Sequence, residues 1–598
     1  MRAIFCVLKD AWSMAKDEKK LRSAAIVLWI FCLLDYIVRM LQPLLQSSLL
    51  NGIDKILSGE NGFRMMLLAG AGMLASGVYT NFSFAKQRPI YLEASSELKI
   101  KIWQRIYTKL CRVYYSTFDS PALYEKIELV SGNYPDFCVN LLFGRMLSTL
   151  VGTVISFVFT SIVLCRVHPW IAVIMIAGNL FGIFKTWLEA HLNYYDIVGN
   201  MKDRRYADTY RSVLFDRNTI KEVRLFGLTE YLREKWLYYT RKVNRKTAGK
   251  QGLFLLLDFA TYAVSNAFMV AALILTSKMI LDGSVGIGTF LLVYSSSGSL
   301  IDTSGNLFSS FRDLKLAEKY YEAHEELMAL PEMEPLPYPT AALDEPLNIR
   351  LDHVSFRYEG SERNAVDDLC LEIKQGEKLA IVGENGSGKS TLMSLIIRLY
   401  APEHGEIYVN GRPQQEEIGR LRREVSMVFQ DFGRYETTFR NNIAMGDIYG
   451  SYSSDELMEC ADRAGIGTRI RAEALGLDTP IGRFDENGIE LSGGEWQKLS
   501  MARALIRRGT KMLIMDEPNA ALDPISEREI YRQVFDSMAD NESLLLITHR
   551  LGAVKYVDRI VVMERGHVIE EGTHEELMKK HGTYAKMYAA QAEWYEEK

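Results

Sequence analysis

Residues 378–390 read KLAIVGENGSGKS, and the second half of the chain takes its organisation from them. Lys378 to Val382 is a compact run suited to a buried strand. Gly383 to Ser390 is glycine-rich, and Thr391 to Leu399 resumes with apolar residues at helical spacing. Strand, loop and helix in this order make a cradle for phosphate groups. The glycines let the backbone turn so that its N–H groups and the helix N-terminus face the anion. Lys389 brings a positive charge toward the β- and γ-phosphates, and Ser390 can ligate magnesium. A glycine-rich turn without a ligand is the bland alternative, and the flanking strand and helix weigh against it.

Further along, Lys511-Met-Leu-Ile-Met515 is a second buried-strand pattern, and it ends in Asp516-Glu517. Two carboxylates then stand at the C-terminal edge of a strand, where ligands bind in open α/β sheets. Asp516 is suited to the magnesium shell, and Glu517 to polarising an attacking water as a general base. Acidic pairs at strand ends are often solvated loop residues. This pair follows a phosphate loop and precedes Pro518 and a turn, which favours the functional reading.

The first half of the chain has another character. Its 598 residues exceed what one hydrophobic core organises and require at least two packed units. Hydrophobic residues make up 48% and charged ones 24%, ordinary averages that leave the decision to local runs. Met65 to Phe84, Met146 to Cys165 and Phe259 to Ser277 are charge-free and approach the roughly twenty residues that a membrane-crossing helix needs. Val167 to Phe184 follows the second after only Arg166. Gly283 to Ile301 is a weaker, serine- and glycine-rich run, and Ser23 to about Ile53 is interrupted by Asp35 and Arg39. Together these make six spans.

Lys9, Lys16, Lys19, Lys20 and Arg22 precede a first run too long for a signal peptide, so the run is expected to stay and the N-terminus to be cytoplasmic. The long stretches Lys86 to Asn140 and Lys185 to Lys250 mix apolar and charged residues at helical spacing and should extend the spans into the cytoplasm. A soluble insertion is the alternative for either. Leu330-Pro-Glu-Met-Glu-Pro-Leu-Pro-Tyr-Pro339 has the composition of a linker. The expected domains are therefore residues 1–329, a transmembrane domain; 330–348, a linker; and 349–598, a nucleotide-binding domain. The net charge of −5 gives no footprint for nucleic acid. Seven scattered cysteines suggest neither disulfides nor a zinc site and read as reduced packing residues.

Gly383 to Ser390, Gln430, Leu491-Ser-Gly-Gly-Glu495, Met515-Asp-Glu517, Ala521-Leu-Asp523 and His549 stand in the order found in the nucleotide-binding domain of ABC transporters, which this sequence resembles over about Ile349 to Gly582. With the preceding spans and their cytoplasmic extensions, the whole resembles an exporter-type half-transporter. It is most similar to bacterial peptide and lantibiotic exporters, on Phe429 to Glu436 and Leu491 to Gln497. The resemblance implies a multidomain membrane protein, an all-α six-helix transmembrane domain followed by an α/β P-loop ATPase domain. It also implies ATP and Mg2+ as cofactors and a second half-transporter as partner, with a homodimer expected and a heterodimer left open. Location in the cell membrane, multi-pass, with the nucleotide-binding domain cytoplasmic, follows from the same likeness.

The resemblance also assigns roles residue by residue. Nucleotide contacts fall to Tyr358, Gly383, Asn385, Gly386, Ser387, Gly388, Lys389, Ser390 and Thr391, and, acting across the dimer on the partner's nucleotide, to Ser492, Gly493 and Gly494. Tyr358 resembles the aromatic platform for adenine, although a tyrosine ending a strand also serves packing. Glu517, His549 and Gln430 form the catalytic set, and Ser390, Gln430 and Asp516 the metal set. Phe118 to Lys126 and Phe215 to Phe226 resemble the two coupling helices. Two departures stand out: Glu495 where the family usually has glutamine, and Ala520 where serine is common. No cysteine-protease domain precedes the first span, so leader cleavage is not expected. Asp35 and Arg39, one turn apart, and Asp258 and Asp302 at span margins are cavity candidates, the first two alternatively an ion pair within one helix. Export of a peptide is the leading expectation. A drug or lipid exporter, an importer on the same scaffold, an ATP-gated channel or regulator, and a soluble ATPase acting on ribosomes or DNA are the competing ones.

Overall fold

A computed structural model describes residues 2–16, 18–143, 145–333, 345–483, 486–517, 531–535, 538–552 and 554–596. Side chains are described over slightly less, and those of 189–201 and 304–317 fall outside. Contacts divide the chain into two units: residues 1–111 with 121–330, and residues 112–120 with 331–598.

The first unit is helical: α1 (Arg2–Lys16), α2 (Lys19–Leu57), α3 (Phe63–Arg112), α4 (Pro121–Leu142), α5 (Arg145–Val167), α6 (Pro169–Phe215), α7 (Arg217–Leu225), α8 (Thr229–Leu281) and α9 (Gly288–Met328). Four of the six apolar runs fall wholly within one helix, in α2, α3, α5 and α8; Val167 to Phe184 begins at the end of α5 and continues in α6, and Gly283 to Ile301 begins in the turn before α9. Over the described residues, α2, α3 and α8 are long and apolar enough to cross a membrane. Shorter apolar stretches occupy Val151–Val167 and Pro169–Gly182. The last run, which enters α9, is rich in serine and glycine. Leu67, Leu68, Leu74, Val78, Phe82 and Phe84 of α3 are all exposed, a surface that lipid can cover and water cannot do so cheaply. Where helices meet, Leu164, Ile171, Met175, Ala272, Val293 and Leu300 form a buried cluster.

Helices do continue past the apolar runs: α3 and α6 extend to Arg112 and Phe215, and a short element follows each. After α3 comes a 3-10 turn, Tyr115–Asp119; after α6 comes α7. The stretch Phe118 to Lys126 was expected to hold a turn and then a short helix. Instead Pro121 opens the 22-residue α4, since its fixed φ suits a first helical position. Asp35 does not rely on Arg39: its carboxylate accepts from Ser83 Oγ at 2.7 Å and Gln87 Nε2 at 2.8 Å, both on α3. Asp258 pairs with Lys185, and the side chain of Asp302 lies outside the described residues. All seven cysteines are free, but Cys111, Cys165 and Cys370 are exposed and so are not packing residues.

The second unit holds two sheets. β1 (Ile349–Phe356), β2 (Val366–Ile373), β4 (His404–Val409) and β5 (Arg412–Pro413) form an antiparallel sheet in the order β2-β1-β4-β5. β3 (Lys378–Gly383), β6 (Val425–Val428), β7 (Met512–Asp516), β8 (Ser543–Ile547), β9 (Arg559–Glu564) and β10 (His567–Gly572) form the other, in the order β10-β9-β3-β8-β7-β6. All its pairings are parallel except β10 with β9. β7 and β8 are buried at every position, and alternate residues serve opposite faces. Ala380, Val382, Leu513, Met515, Leu544 and Leu546 belong to one core, while Leu379, Ile381, Met512, Ile514, Leu545 and Ile547 belong to the other. Covered on both faces, such strands read as unbroken apolar runs. The register, with Ile381 opposite Ile547 and Asp516 opposite Ile547, brings the C-terminal ends of β3, β7 and β8 level.

Candidate active site

Those level strand ends deliver the sequence motifs to one edge. β3 delivers Gly383, from which the loop climbs to helix α10 (Lys389–Ile396), capped by Gly388 at φ 102°. A Cβ at Gly388 would lie 2.2 Å from the Ala365 carbonyl oxygen, so both conformation and space require glycine there. Lys389 is buried, and its ammonium donates to the carbonyls of Gly383 (3.0 Å) and Glu384 (2.8 Å). Burial pushes its pKa down, while the carboxylates of Glu517 and Asp516 pull it back up. The head of the loop therefore holds a cation between backbone dipoles and acids.

β7 delivers the acids, and their surroundings separate them. Asp516 is 4% exposed and its Oδ1 has no protein hydrogen-bond partner. Its pKa is pushed up to about 6 by burial and by the neighbouring Glu517 charge, against the opposing pull of Lys389 and a hydrogen bond from Ser390. A buried carboxylate oxygen left over beside a serine hydroxyl suits a hard divalent cation with oxygen ligands, which is what the residues expected to hold Mg2+ offer.

Glu517 follows in a left-handed conformation, φ 42°, with its N–H bonded to the Ile547 carbonyl at 2.9 Å. Its two oxygens have separate partners. Gln430, just past β6, donates from Nε2 to Oε2 at 3.1 Å, and His549, just past β8, places Nδ1 3.2 Å from Oε1. The three residues expected to be catalytic thus meet at one carboxylate, although 87 positions separate Gln430 from Glu517.

Tyr358 is partly exposed beyond β1, its hydroxyl 3.1 Å from Thr391 Oγ1 on α10. It stands edge-on to Phe356 and Tyr400, with ring centroids 5.1 and 5.4 Å apart. One face of a ring braced in this way is free for stacking. Ser492 N-caps the helix Gly493–Leu505 in a reciprocal capping box with Glu495. Among the described residues no hydrogen bond joins Ser492, Gly493 or Gly494 to the phosphate loop of the same chain. Ala521, Leu522 and Asp523, with Pro518 and Ala520, lie outside the described residues.

Three contributors escape sequence reasoning. Gln591 accepts from the Leu551 N–H at 2.9 Å and donates to the His549 carbonyl at 2.5 Å, fixing the turn that carries the histidine. Tyr400 donates to Asp119 Oδ2 at 2.9 Å and receives the edge of Tyr115, centroids 5.5 Å apart, so the 112–120 segment is fastened to the aromatic group that braces Tyr358. Arg469 pairs with Glu495. None belongs to a local motif.

Residues 366–520 match the family model described as ABC transporter. The subtilin transport ATP-binding protein SpaT of Bacillus subtilis is 28% identical over 498 residues, 81% of this chain and 79% of that protein. An ATP-dependent lipid A-core flippase of Pseudomonas fluorescens (strain Pf0-1) is 40% identical over 244 residues, only 40% of either chain. One from Vibrio vulnificus (strain CMCP6) is 34% identical over 338 residues, 55% of either. Among solved structures, that of a bacterial Atm1-family ABC exporter with ATP bound superposes with a TM-score of 0.80, covering 96% of this chain and 98% of that one. At 22% identity this likeness is one of fold.

Proposed function

On the premise that this chain is an ABC-type half-transporter, a helical domain fused to a nucleotide-binding domain with the ATPase activity of that family, we propose that it exports a peptide across the cytoplasmic membrane in a homodimer. The observation that carries the reading is the Glu517 carboxylate held between Gln430 and His549, beside Lys389, Ser390 and Asp516. Glu517 accepts the proton of an attacking water, and His549 and Gln430 hold that carboxylate in place and face the γ-phosphate. Lys389 and the loop N–H groups take the triphosphate's charge. Ser390, Asp516 and Gln430 would hold Mg2+, which when bound offsets charge on the β- and γ-phosphates.

Among the described residues no hydrogen bond joins the helix N-terminus at Ser492 to the phosphate loop of the same chain, and in this reading two copies each close Ser492, Gly493 and Gly494 over ATP held by the other. Six spans, one in each long helix, complete the membrane domain in this reading, with the domain boundaries set at 329 and 349. Phe118 to Lys126 and Phe215 to Phe226 are the coupling segments in this reading. A peptide as cargo rests on SpaT, whose likeness runs through four-fifths of both chains. The lipid A-core flippases share a smaller part and keep a lipid as the second reading.

Glu517→Gln tests the mechanism. ATP binding should persist while turnover falls by a factor on the order of 10² to 10⁴, the usual worth of a positioned base, and dimers should accumulate closed. Near-normal hydrolysis refutes the assigned base. Stimulation of ATPase activity in proteoliposomes by secreted peptides, set against lipids and drugs, tests the cargo.

A further inference from the structure

At the signature helix, glutamate stands where glutamine is usual, and the side chain is fully engaged. Glu495 Oε2 accepts from the Ser492 backbone N–H at 2.7 Å, completing the capping box. Its Oε1 lies 3.1 Å from Arg469 Nε. Arg469 belongs to the separate short helix Gly467–Arg471 and also holds Glu473, Nη1 to Oε1 at 2.6 Å. Glu473, Glu495 and Arg469 are 19%, 28% and 36% exposed, so water screens them only partly.

The chemistry sets up a conflict. A helix N-terminus attracts anions, and a carboxylate in its first turn is welcome there. When the same terminus must receive a triphosphate, that carboxylate becomes a like charge beside the incoming one. Glutamine at this position would accept the same N–H without the charge. The chain therefore carries a liability that its usual form lacks.

We propose that Arg469 is a positioning residue that offsets the charge of Glu495, so that the signature helix of one copy can close over the nucleotide held by its partner. The inference rests on the shared-nucleotide dimer proposed above. Without Arg469, the Glu495 carboxylate in the first turn of the signature helix would lose its ion-pair partner; with it, the like charge that an incoming phosphate meets there is reduced.

The test uses full-length protein in detergent or nanodiscs on a Glu517→Gln background, reading the ATP concentration that half-closes the dimer by cross-linking. Arg469→Ala should raise that concentration on the order of tenfold, within the range that charges near helix termini and partly buried pairs produce. Adding Glu495→Gln to Arg469→Ala should restore the parental value. In active protein the same pair should move KM for ATP and leave kcat within about twofold, and the nucleotide-free thermal midpoint should hold within about 2 °C, as partly exposed ion pairs contribute little to folding. Three results would overturn the inference: no effect of Arg469→Ala, an effect that Glu495→Gln fails to relieve, or a thermal midpoint that falls in step with the loss. If the Glu517→Gln parent itself does not close on ATP, the dimer reading falls, and this inference with it.

Discussion

Glu517 occupies a left-handed backbone conformation that costs a residue with a Cβ about 1 kcal/mol or more. The strain is sustained by a bond from its N–H to Ile547 and by two side-chain partners, and it turns the carboxylate out of the β7 register toward Gln430 and His549. The orientation of His549 depends in turn on Gln591, which grips the backbone on either side of Arg550 through two hydrogen bonds. Gln591→Leu should therefore lower kcat several-fold, as the loss of about 1 kcal/mol of positioning implies, and leave KM for ATP unchanged, because no phosphate-loop atom is touched. Steady-state kinetics decides, and a raised KM with normal kcat would contradict this role. The acids were legible because they close a strand whose apolar run announces it, and the loop lysine because its glycine-rich loop follows such a strand. Gln591 was not: it lies 40 positions from its partner in a helix with no motif.

Among elements, the turn Tyr115–Asp119 shows how a few residues between long helices gain importance. Burial and the Asp119 carboxylate push the Tyr400 phenol up, so it stays a donor at any working pH. A hydroxyl bonded to a carboxylate that water also reaches contributes about 1 kcal/mol or less. Tyr400→Phe and Asp119→Ala should each lower thermal stability by a comparable amount, and the double substitution should cost scarcely more than either, a coupling that a double-mutant cycle measures.

A second element-scale expectation concerns α9. His324 is buried and stacked on Tyr134 of α4 with centroids 4.1 Å apart, and the Tyr134 hydroxyl in turn bonds Asp10 of α1. Burial lowers its pKa to about 4, a shift that Asp10 opposes and Arg105 reinforces. The folded value lies below the unfolded one. Its stabilising contribution is thus complete above about pH 6.5 and is lost as pH falls toward 4, on the order of 2 kcal/mol between pH 7 and pH 5. Thermal unfolding should show a steeper acid loss for the parent than for His324→Phe; parallel curves would exclude the histidine as the cause. Periodicity had announced these helices, but a helical pattern does not say which of its polar residues is enclosed by neighbours from α1 and α4.

For the molecule as a whole, legibility followed sequence distance. Unbroken apolar runs named β3 and β7 and the long helices, because burial on both sides, or by lipid, leaves a continuous imprint on composition. The run that enters α9 carries a weaker imprint, since serines and glycines interrupt it. Motifs named the active-site edge because the phosphate loop and the Asp-Glu pair are contiguous in the chain. What stayed hidden were meetings of side chains drawn from far apart, as Tyr400 and Asp119 are by 281 positions. Unit boundaries follow the same rule: the prolines after Leu330 mark one junction, while nothing local shows that residues 112–120 pack with the second unit.

That interleaving bears on how the enzyme should be handled at the bench. A recombinant fragment beginning near Pro331 would be an amputated particle. It would lack the loop whose aspartate and tyrosine dress Tyr400, leaving wet the aromatic corner that steadies Tyr358. Any nucleotide affinity measured on such a piece would describe a wounded surface, and splicing the nine missing residues back through a flexible tether is the repair that the chain's own topology prescribes.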